Sequence, residues 1–161
     1  MANIIEIERK FLVDHARWEP QGERLPVRQG FLATTDKLVC RVRQKGERFY
    51  LSVKADLDGI TRHDFEYEIP ALDGGIMLDQ HCERAPVEKV RHILTYEGMT
   101  WEVDVFSGLN QGLIVAEIEL NSVDQPFAKP PWVTEEVSDD LRYLNTNLYK
   151  HPYSEWGEAN A

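Results

Sequence analysis

Cysteine is scarce in this chain: Cys40 and Cys82 are the only two in 161 residues, far apart and without C-x-x-C or Cys/His ligand spacing. That argues against a disulfide scaffold and a thiolate zinc site, and leaves two reduced, packed thiols. No apolar run approaches the roughly 18 residues that a helix needs to cross a bilayer. The opening "MANIIEIERK" lacks a basic stretch followed by an apolar block, so no secretory signal is expected and a cytoplasmic location is. Positive charge is in deficit, with 18 Lys and Arg against 28 Asp and Glu and a net charge of −10. Residence on nucleic acid is therefore disfavoured, because it draws on clustered Lys and Arg. A polyanionic ligand would need cations concentrated locally, or metal. There is no G-x-x-x-x-G-K-[ST] loop, no nucleophile elbow, no H-x-x-x-H spacing, no internal repeat and no low-complexity segment.

What is present is an ordinary globular balance, 42% hydrophobic and 29% charged, in a length that fits one domain over 1–161 with 152–161 as a loose tail. Between residues 4 and 122 the pattern alternates with period two, the mark of strands with two chemically different faces. Eight strands are predicted, near 4–13, 28–33, 38–45, 48–55, 61–69, 87–97, 100–107 and 113–121. Pieces such as "QKGER", "DLDG" and "YEGM" between them suit antiparallel hairpins. "ALDGGIMLDQHC" reads as a glycine-weakened helix and "SDDLRYLNTNLYK" as a closing one, with Ser138 as its cap, Asp139 and Asp140 in its first turn, and Leu141, Leu144 and Leu148 as its apolar stripe. Trp18, Trp101, Trp132 and Trp156 read as core or helix anchors.

Because neighbouring Cβ atoms on a strand point opposite ways, the alternation sorts the charges onto one face. Glu6, Glu8 and Lys10 share a face of the first strand, opposed by Ile5, Ile7 and Phe11. Arg41 and Arg43 share a face of the third, Lys54 extends from the fourth, and Arg62, Asp64, Glu66 and Glu68 align on the fifth. Lys89 and Arg91 follow on the sixth, Glu102 and Asp104 on the seventh, Glu117 and Glu119 on the eighth. One solvated sheet face would explain any single strand. Together, however, the charges are sorted by sign, carboxylates on strands one, five, seven and eight and bases on three, four and six. An α+β, mainly β fold is expected: an eight-stranded antiparallel barrel, closed or nearly closed, with apolar faces outward under helices and charged faces lining a lumen. Such a lumen needs its ions satisfied. Hard carboxylate oxygens suit Mg²⁺ or Mn²⁺, and Arg and Lys suit phosphate oxygens.

The residues "EIERK" resemble the E-x-E-x-K signature of the CYTH domain, the triphosphate tunnel metalloenzyme superfamily. "CRVRQKGERFYLSVK" is similar to its R-x-R and following Lys, "EKVR" to its K-x-R, "EVDVF" to its acidic seventh strand and "VAEIEL" to its closing E-x-E. The resemblance covers nearly the whole chain and is greatest to small bacterial members that hydrolyse inorganic tripolyphosphate. It implies a tunnel holding triphosphate and divalent metal, with Glu6, Glu8, Glu66, Glu68, Asp104, Glu117 and Glu119 as metal ligands. Lys10, Arg41, Arg43, Lys54, Lys89 and Arg91 would hold phosphate, and the closing helix would plug one mouth, bringing Tyr143 and Asn145 near.

The chemistry expected is metal-dependent hydrolysis, with Glu117 or Glu119 orienting water and Lys89 or Arg91 stabilising developing charge. Thiamine or nucleoside triphosphate hydrolysis, adenylate cyclisation and non-catalytic polyphosphate binding are the alternatives. Association into a homodimer stays open, as do the roles of Arg62, Asp64 and Glu102.

Overall fold

The computed structural model describes residues 4–57 and 61–159, and in it the alternating segments pair into one antiparallel sheet. The strands are β1 (Ile4–Val13), β2 (Glu23–Thr34), β3 (Leu38–Lys45), β4 (Arg48–Asp56), β5 (Thr61–Ile69), β6 (Val87–Tyr96), β7 (Met99–Phe106), β8 (Ile114–Glu119) and β9 (Val133–Glu136). Their order is β5-β4-β3-β2-β6-β7-β8-β1-β9, and β1 also pairs with β5, so β1 to β8 close into a barrel. The expected turn "DLDG" ends on residues 58 and 59, which lie outside the described residues. No helix among the described residues is long and apolar enough to cross a membrane.

β1 performs the closure with both of its edges. One edge runs along β8 from Glu8 to Leu12, while the other meets β5 only from Ile4 to Ile7. Beyond that point its backbone would be an open edge. β9, which the alternation did not reveal, covers that edge at Phe11 and Val13, and Ser138 and Val137 bond the backbone of Lys10.

The barrel exterior is apolar, as expected, but its cover is only partly helical. α1 (Ala71–Gln80) lies over Val42 and Phe49, and Gly74 explains how closely: a Cβ there would sit 2.5 Å from Phe49. Around β1, β7 and β8, irregular chain replaces the expected helices. Trp18, Phe127 and Trp132 pack onto Phe11, Trp101, Val103 and Ile118. Side chains this large bury apolar area without a regular backbone.

The expected closing helix is broken. Asp140 accepts a hydrogen bond from the Arg142 amide and starts a short 3-10 turn, Leu141–Tyr143; Leu144 is extended, and α2 (Asn145–Lys150) follows. Ser138 lies before the turn and bonds Lys10 and Glu136 instead of capping a helix. Leu141 is exposed, so the three leucines form no single stripe. The expected loose tail is also anchored through residue 157: Tyr153–Glu155 forms a turn, α3 (Trp156–Ala159) follows, and the buried Trp156 ring stacks edge-on against Tyr143 and Tyr153.

These last elements fill one end of the barrel. Leu12 and Val115, Val87 and Phe106 lie on the same faces as the inward charges, as cross-strand partners such as Lys89 and Phe106 show. They join Phe31, Leu148, Tyr149 and Trp156 in one buried cluster. The lumen is thus apolar and plugged at one end and ionic along the rest.

Candidate active site

The inward charges enclose a cavity of 770 Å³. Nine carboxylates and ten cationic side chains line it, although the chain as a whole carries −10. Glu6, Arg41, Lys89 and Glu119, which come from four different strands, all converge there.

On the side of β2, β3 and β6, carboxylates serve as anchors for cations. Asp104, 1% exposed, accepts two hydrogen bonds from Arg91, at 2.8 and 2.9 Å, and lies 2.7 Å from the Lys89 ammonium. Burial alone would raise its pKa, but Arg91 and Lys89 hold it below the usual carboxylate range. Glu66 does the same for β3: Arg43 at 2.8 Å, Arg41 at 3.4 Å and the Ser52 hydroxyl at 3.0 Å all donate to one of its oxygens. The guanidiniums keep unspent capacity, since the buried Nε atoms of Arg41, Arg43 and Arg62 have no hydrogen-bond partner among the described residues. Buried donors of this kind call for an acceptor. Burial lowers the Lys89 pKa to about 8, Asp104 opposing and Arg91 reinforcing the shift. Its ammonium also donates to Asn145 at 3.2 Å, and Asn145 is held in turn by the Gln29 amide at 2.8 Å.

On the side of β1, β5 and β8, carboxylates are in excess. Glu8 stands opposite Glu119, and Glu117 opposite Glu102. Lys10 serves both Glu117 at 3.3 Å and Glu8 at 3.6 Å, and Lys54 serves both Glu6 at 3.1 Å and Asp64 at 3.3 Å. Burial, with Glu8 and Asp64 nearby, pushes Glu6 up to about 7 against the pull of Lys54. Glu8 goes the other way: Lys10, Lys54 and Arg62 overcome its burial and bring it down to about 2. Glu119 makes no ion pair among the described residues, and burial, Glu8 and Glu102 raise its pKa.

This donor set fits a divalent cation. Glu6, Glu8, Glu117 and Glu119 offer hard oxygens on one wall, where burial, helped by neighbouring carboxylates, raises the pKa values of Glu6 and Glu119. Among the described residues, no three acidic, histidine or cysteine side chains already surround a common point, because the lysines occupy Glu6, Glu8 and Glu117.

Three expected site residues lie elsewhere. Glu68 sits at the outer end of β5, with its side chain 54% exposed and 3.8 Å from Arg48. Tyr143 packs against Trp156 in the apolar plug, because the break at Leu144 sends Asn145 rather than Tyr143 into the cavity. Asp104 lies behind the lining with both oxygens bound by Lys89 and Arg91, and Glu66 is likewise occupied by β3 cations. Arg62, Asp64 and Glu102 do line the cavity; Arg62 lies 4.0 Å from Glu8, and Asp64 and Glu102 pair with Lys54 and Arg91. Gln29 was missed, although a polar residue on the inward face between Val27 and Phe31 is a readable signal.

Residues 4–153 match the family model described as the CYTH domain. The chain belongs to the CYTH family. Among its CYTH relatives, a protein named inorganic triphosphatase from Acetivibrio thermocellus is 42% identical over 153 residues, covering 95% of this chain and 98% of the relative. One of the same name from Nitrosomonas europaea is 40% identical over 149 residues, covering 89% and 95%. The crystal structure of an inorganic triphosphatase superposes with a TM-score of 0.65 at 36% identity, covering 89% of this chain and 96% of that one. A structure described as a putative adenylate cyclase, from Bacillus halodurans, matches at a TM-score of 0.61 and 17% identity, over 77% and 84% of the two chains, and shares the fold. The CYTH barrel with one added strand is thus common to this chain and its triphosphatase relatives.

Proposed function

We propose that this protein hydrolyses inorganic tripolyphosphate to pyrophosphate and phosphate within the barrel, using a divalent metal ion of the Mg²⁺ or Mn²⁺ type. The observation that carries this reading is the convergence of Lys10, Arg41, Arg43, Lys54, Lys89 and Arg91, from β1, β3, β4 and β6, on one plugged cavity of a strongly acidic chain. The names of the relatives at 40–42% identity support it.

Phosphoryl transfer leaves little covalent chemistry to the protein; positioning and charge neutralisation dominate. Arg41 and Arg43, braced by Glu66, and Lys89 and Arg91, braced by Asp104, present fixed donors to phosphate oxygens from two sides. Glu6, Glu8, Glu117 and Glu119 would hold the cation, which when bound neutralises phosphate charge and polarises the bond to be cleaved. The substrate's own negative charge recruits Lys10 and Lys54, freeing the carboxylates that these lysines occupy. Glu119, without an ion pair among the described residues and with a raised pKa, accepts the proton of the attacking water. Lys89 and Arg91 stabilise the charge that develops on the pyrophosphate leaving group.

The test is phosphate release from tripolyphosphate, ATP and thiamine triphosphate in parallel, with Mg²⁺, with Mn²⁺ and with chelator. Tripolyphosphate is expected to turn over fastest and chelator to abolish turnover. ATP turnover at an equal or higher rate would overturn the inorganic substrate, and undiminished turnover in chelator would overturn the metal.

A further inference from the structure

Gln29 is a fully buried polar side chain, 0% exposed, on the inward face of β2 between Val27 and Phe31. Its cross-strand partners are Arg43 of β3 and Val87 of β6, and Lys89 follows on β6 opposite Val27. A neutral amide therefore sits between the two braced cation pairs, Arg41 with Arg43 and Lys89 with Arg91. A third cation here would repel both pairs, and a carboxylate would compete with phosphate for them. A carboxamide does neither.

The hydrogen bonds fix which way two amides face. The Asn145 oxygen that accepts from Gln29 Nε2 at 2.8 Å also accepts from Lys89 Nζ at 3.2 Å. An ammonium has no lone pair, so the Asn145 atom it meets is Oδ1, and the Gln29 atom that meets Oδ1 is Nε2. Gln29 Oε1 is thereby left buried with no hydrogen-bond partner among the described residues. A methionine at this position would leave no such orphan, so the orientation of Gln29 serves Asn145 rather than its own oxygen. Asn145 Nδ2, on the opposite edge of its amide, makes no hydrogen bond among the described residues, and Asn145 lines the cavity. The backbone beneath it is anchored. The Leu144 carbonyl accepts from the Asn147 and Leu148 amides, Leu148 is buried, and the Tyr149 hydroxyl bonds both the amide and the carbonyl of Arg84.

We propose that Asn145 is a substrate-contacting residue, its Nδ2 donating to a phosphate oxygen beside Lys89, and that Gln29 is a positioning residue that acts through it. This assignment rests on the triphosphatase reading of the cavity. Lys89 gives one N–H to Asp104 and one to Asn145, which leaves its third, beside the two of Asn145 Nδ2, for phosphate. The carboxamide thus adds donors at the plugged end without adding charge. Without Gln29 the Asn145 amide is free to turn, and Lys89 loses one of its two braces. Misdirected donors of this kind lower turnover more than binding.

Steady-state kinetics with tripolyphosphate and Mg²⁺ on Gln29→Met, Asn145→Ala and the double variant test this, with calorimetry alongside. Gln29→Met is expected to lower kcat about tenfold with KM changed less than about twofold. It should melt at or above the wild-type temperature, because the orphaned oxygen is gone. Asn145→Ala should lose about 100-fold in kcat/KM, since the phosphate contact goes with the brace. The double variant should match Asn145→Ala, Gln29 then having nothing to position. Unchanged kcat in Gln29→Met, or losses that multiply in the double variant, overturn the positioning role. A Gln29→Met protein that melts well below wild type also overturns it, by assigning Gln29 to packing. A second readout is independent of turnover: the Asn145 side-chain amide resonances, identified by their absence from Asn145→Ala, should shift when tripolyphosphate is added, with Mg²⁺ or with chelator. Resonances that stay in place in both conditions overturn the contact. A wild type that hydrolyses no triphosphate would end the hydrolase reading, and these resonances would still decide whether Asn145 meets phosphate.

Discussion

The two walls of the lumen use the same side chains for opposite ends. On the β3 and β6 wall each carboxylate has several cations: Asp104 holds Lys89 and Arg91, and Glu66 holds Arg41 and Arg43. On the β1 and β8 wall each lysine is shared between two carboxylates, and among the described residues Glu119 has none. The first wall has fixed its cations in place before any anion arrives, so it spends no reorganisation on binding. The second is electrostatically unfinished, because Lys10 and Lys54 are each divided between two carboxylates, while burial and neighbouring carboxylates raise the pKa values of Glu6 and Glu119. Neither burial nor charge alone separates the walls; the ratio of acid to base does.

The most damaging change should be Asp104→Asn, which leaves two buried cations without their counter-charge. A loss of about 3 kcal/mol is expected from breaking a buried pair of this kind, or roughly 10 °C in melting temperature for a chain of this length. It should be accompanied by a fall of at least about 100-fold in kcat/KM, since Lys89 and Arg91 lose their fixed positions. Scanning calorimetry and steady-state kinetics check both, and an unchanged melting temperature would show that this wall does not depend on its anchor.

Next come Glu117→Gln and Glu119→Gln on the other wall. Both should fold normally yet lose about 100-fold or more in metal-supported turnover. Ordinary turnover would remove the residue concerned from the site. If either variant melted far below wild type, the contrast between a structural wall and an unfinished one would fail.

A smaller effect is expected from Glu6→Gln in metal-free protein. A carboxylate whose folded pKa is raised from 4.5 to about 7 binds more protons folded than unfolded between those values. Stability from this group therefore falls as pH rises from about 4.5 through about 7. Screening by the partly open cavity limits the effect to about 1 kcal/mol, or roughly 3 °C. Glu6→Gln should melt higher than wild type at pH 8 and equally at pH 4, with the gap opening between; a constant gap would assign the difference to packing.

The smallest effects should come from residues outside both walls. Glu68→Gln and Tyr143→Phe are expected to change kcat/KM by less than about twofold, because an exposed ion pair contributes little and the Tyr143 ring packs in the plug. A tenfold loss in either would extend the site beyond the cavity.

Much of this was legible because period two is unambiguous on a strand with one ionic face. Glu6, Arg41, Lys89 and Glu119 could be placed on a common surface from alternation alone. β2 was read too short, its start hidden by Pro26, which the strand accommodates opposite Val90. β9 escaped because four residues carry too little pattern. Asn145 reaches the cavity as expected but Tyr143 does not, because a single extended residue, Leu144, interrupts what looked like one helix.

Alternation therefore determined which side chains share the lumen, since Cβ direction on a strand is a local property of the backbone. Which carboxylates brace arginines and lysines and which await a cation was decided by tertiary structure. That division depends on cross-strand register and on where the carboxyl-terminal segment plugs the barrel, and both arise from contacts between residues far apart in the chain.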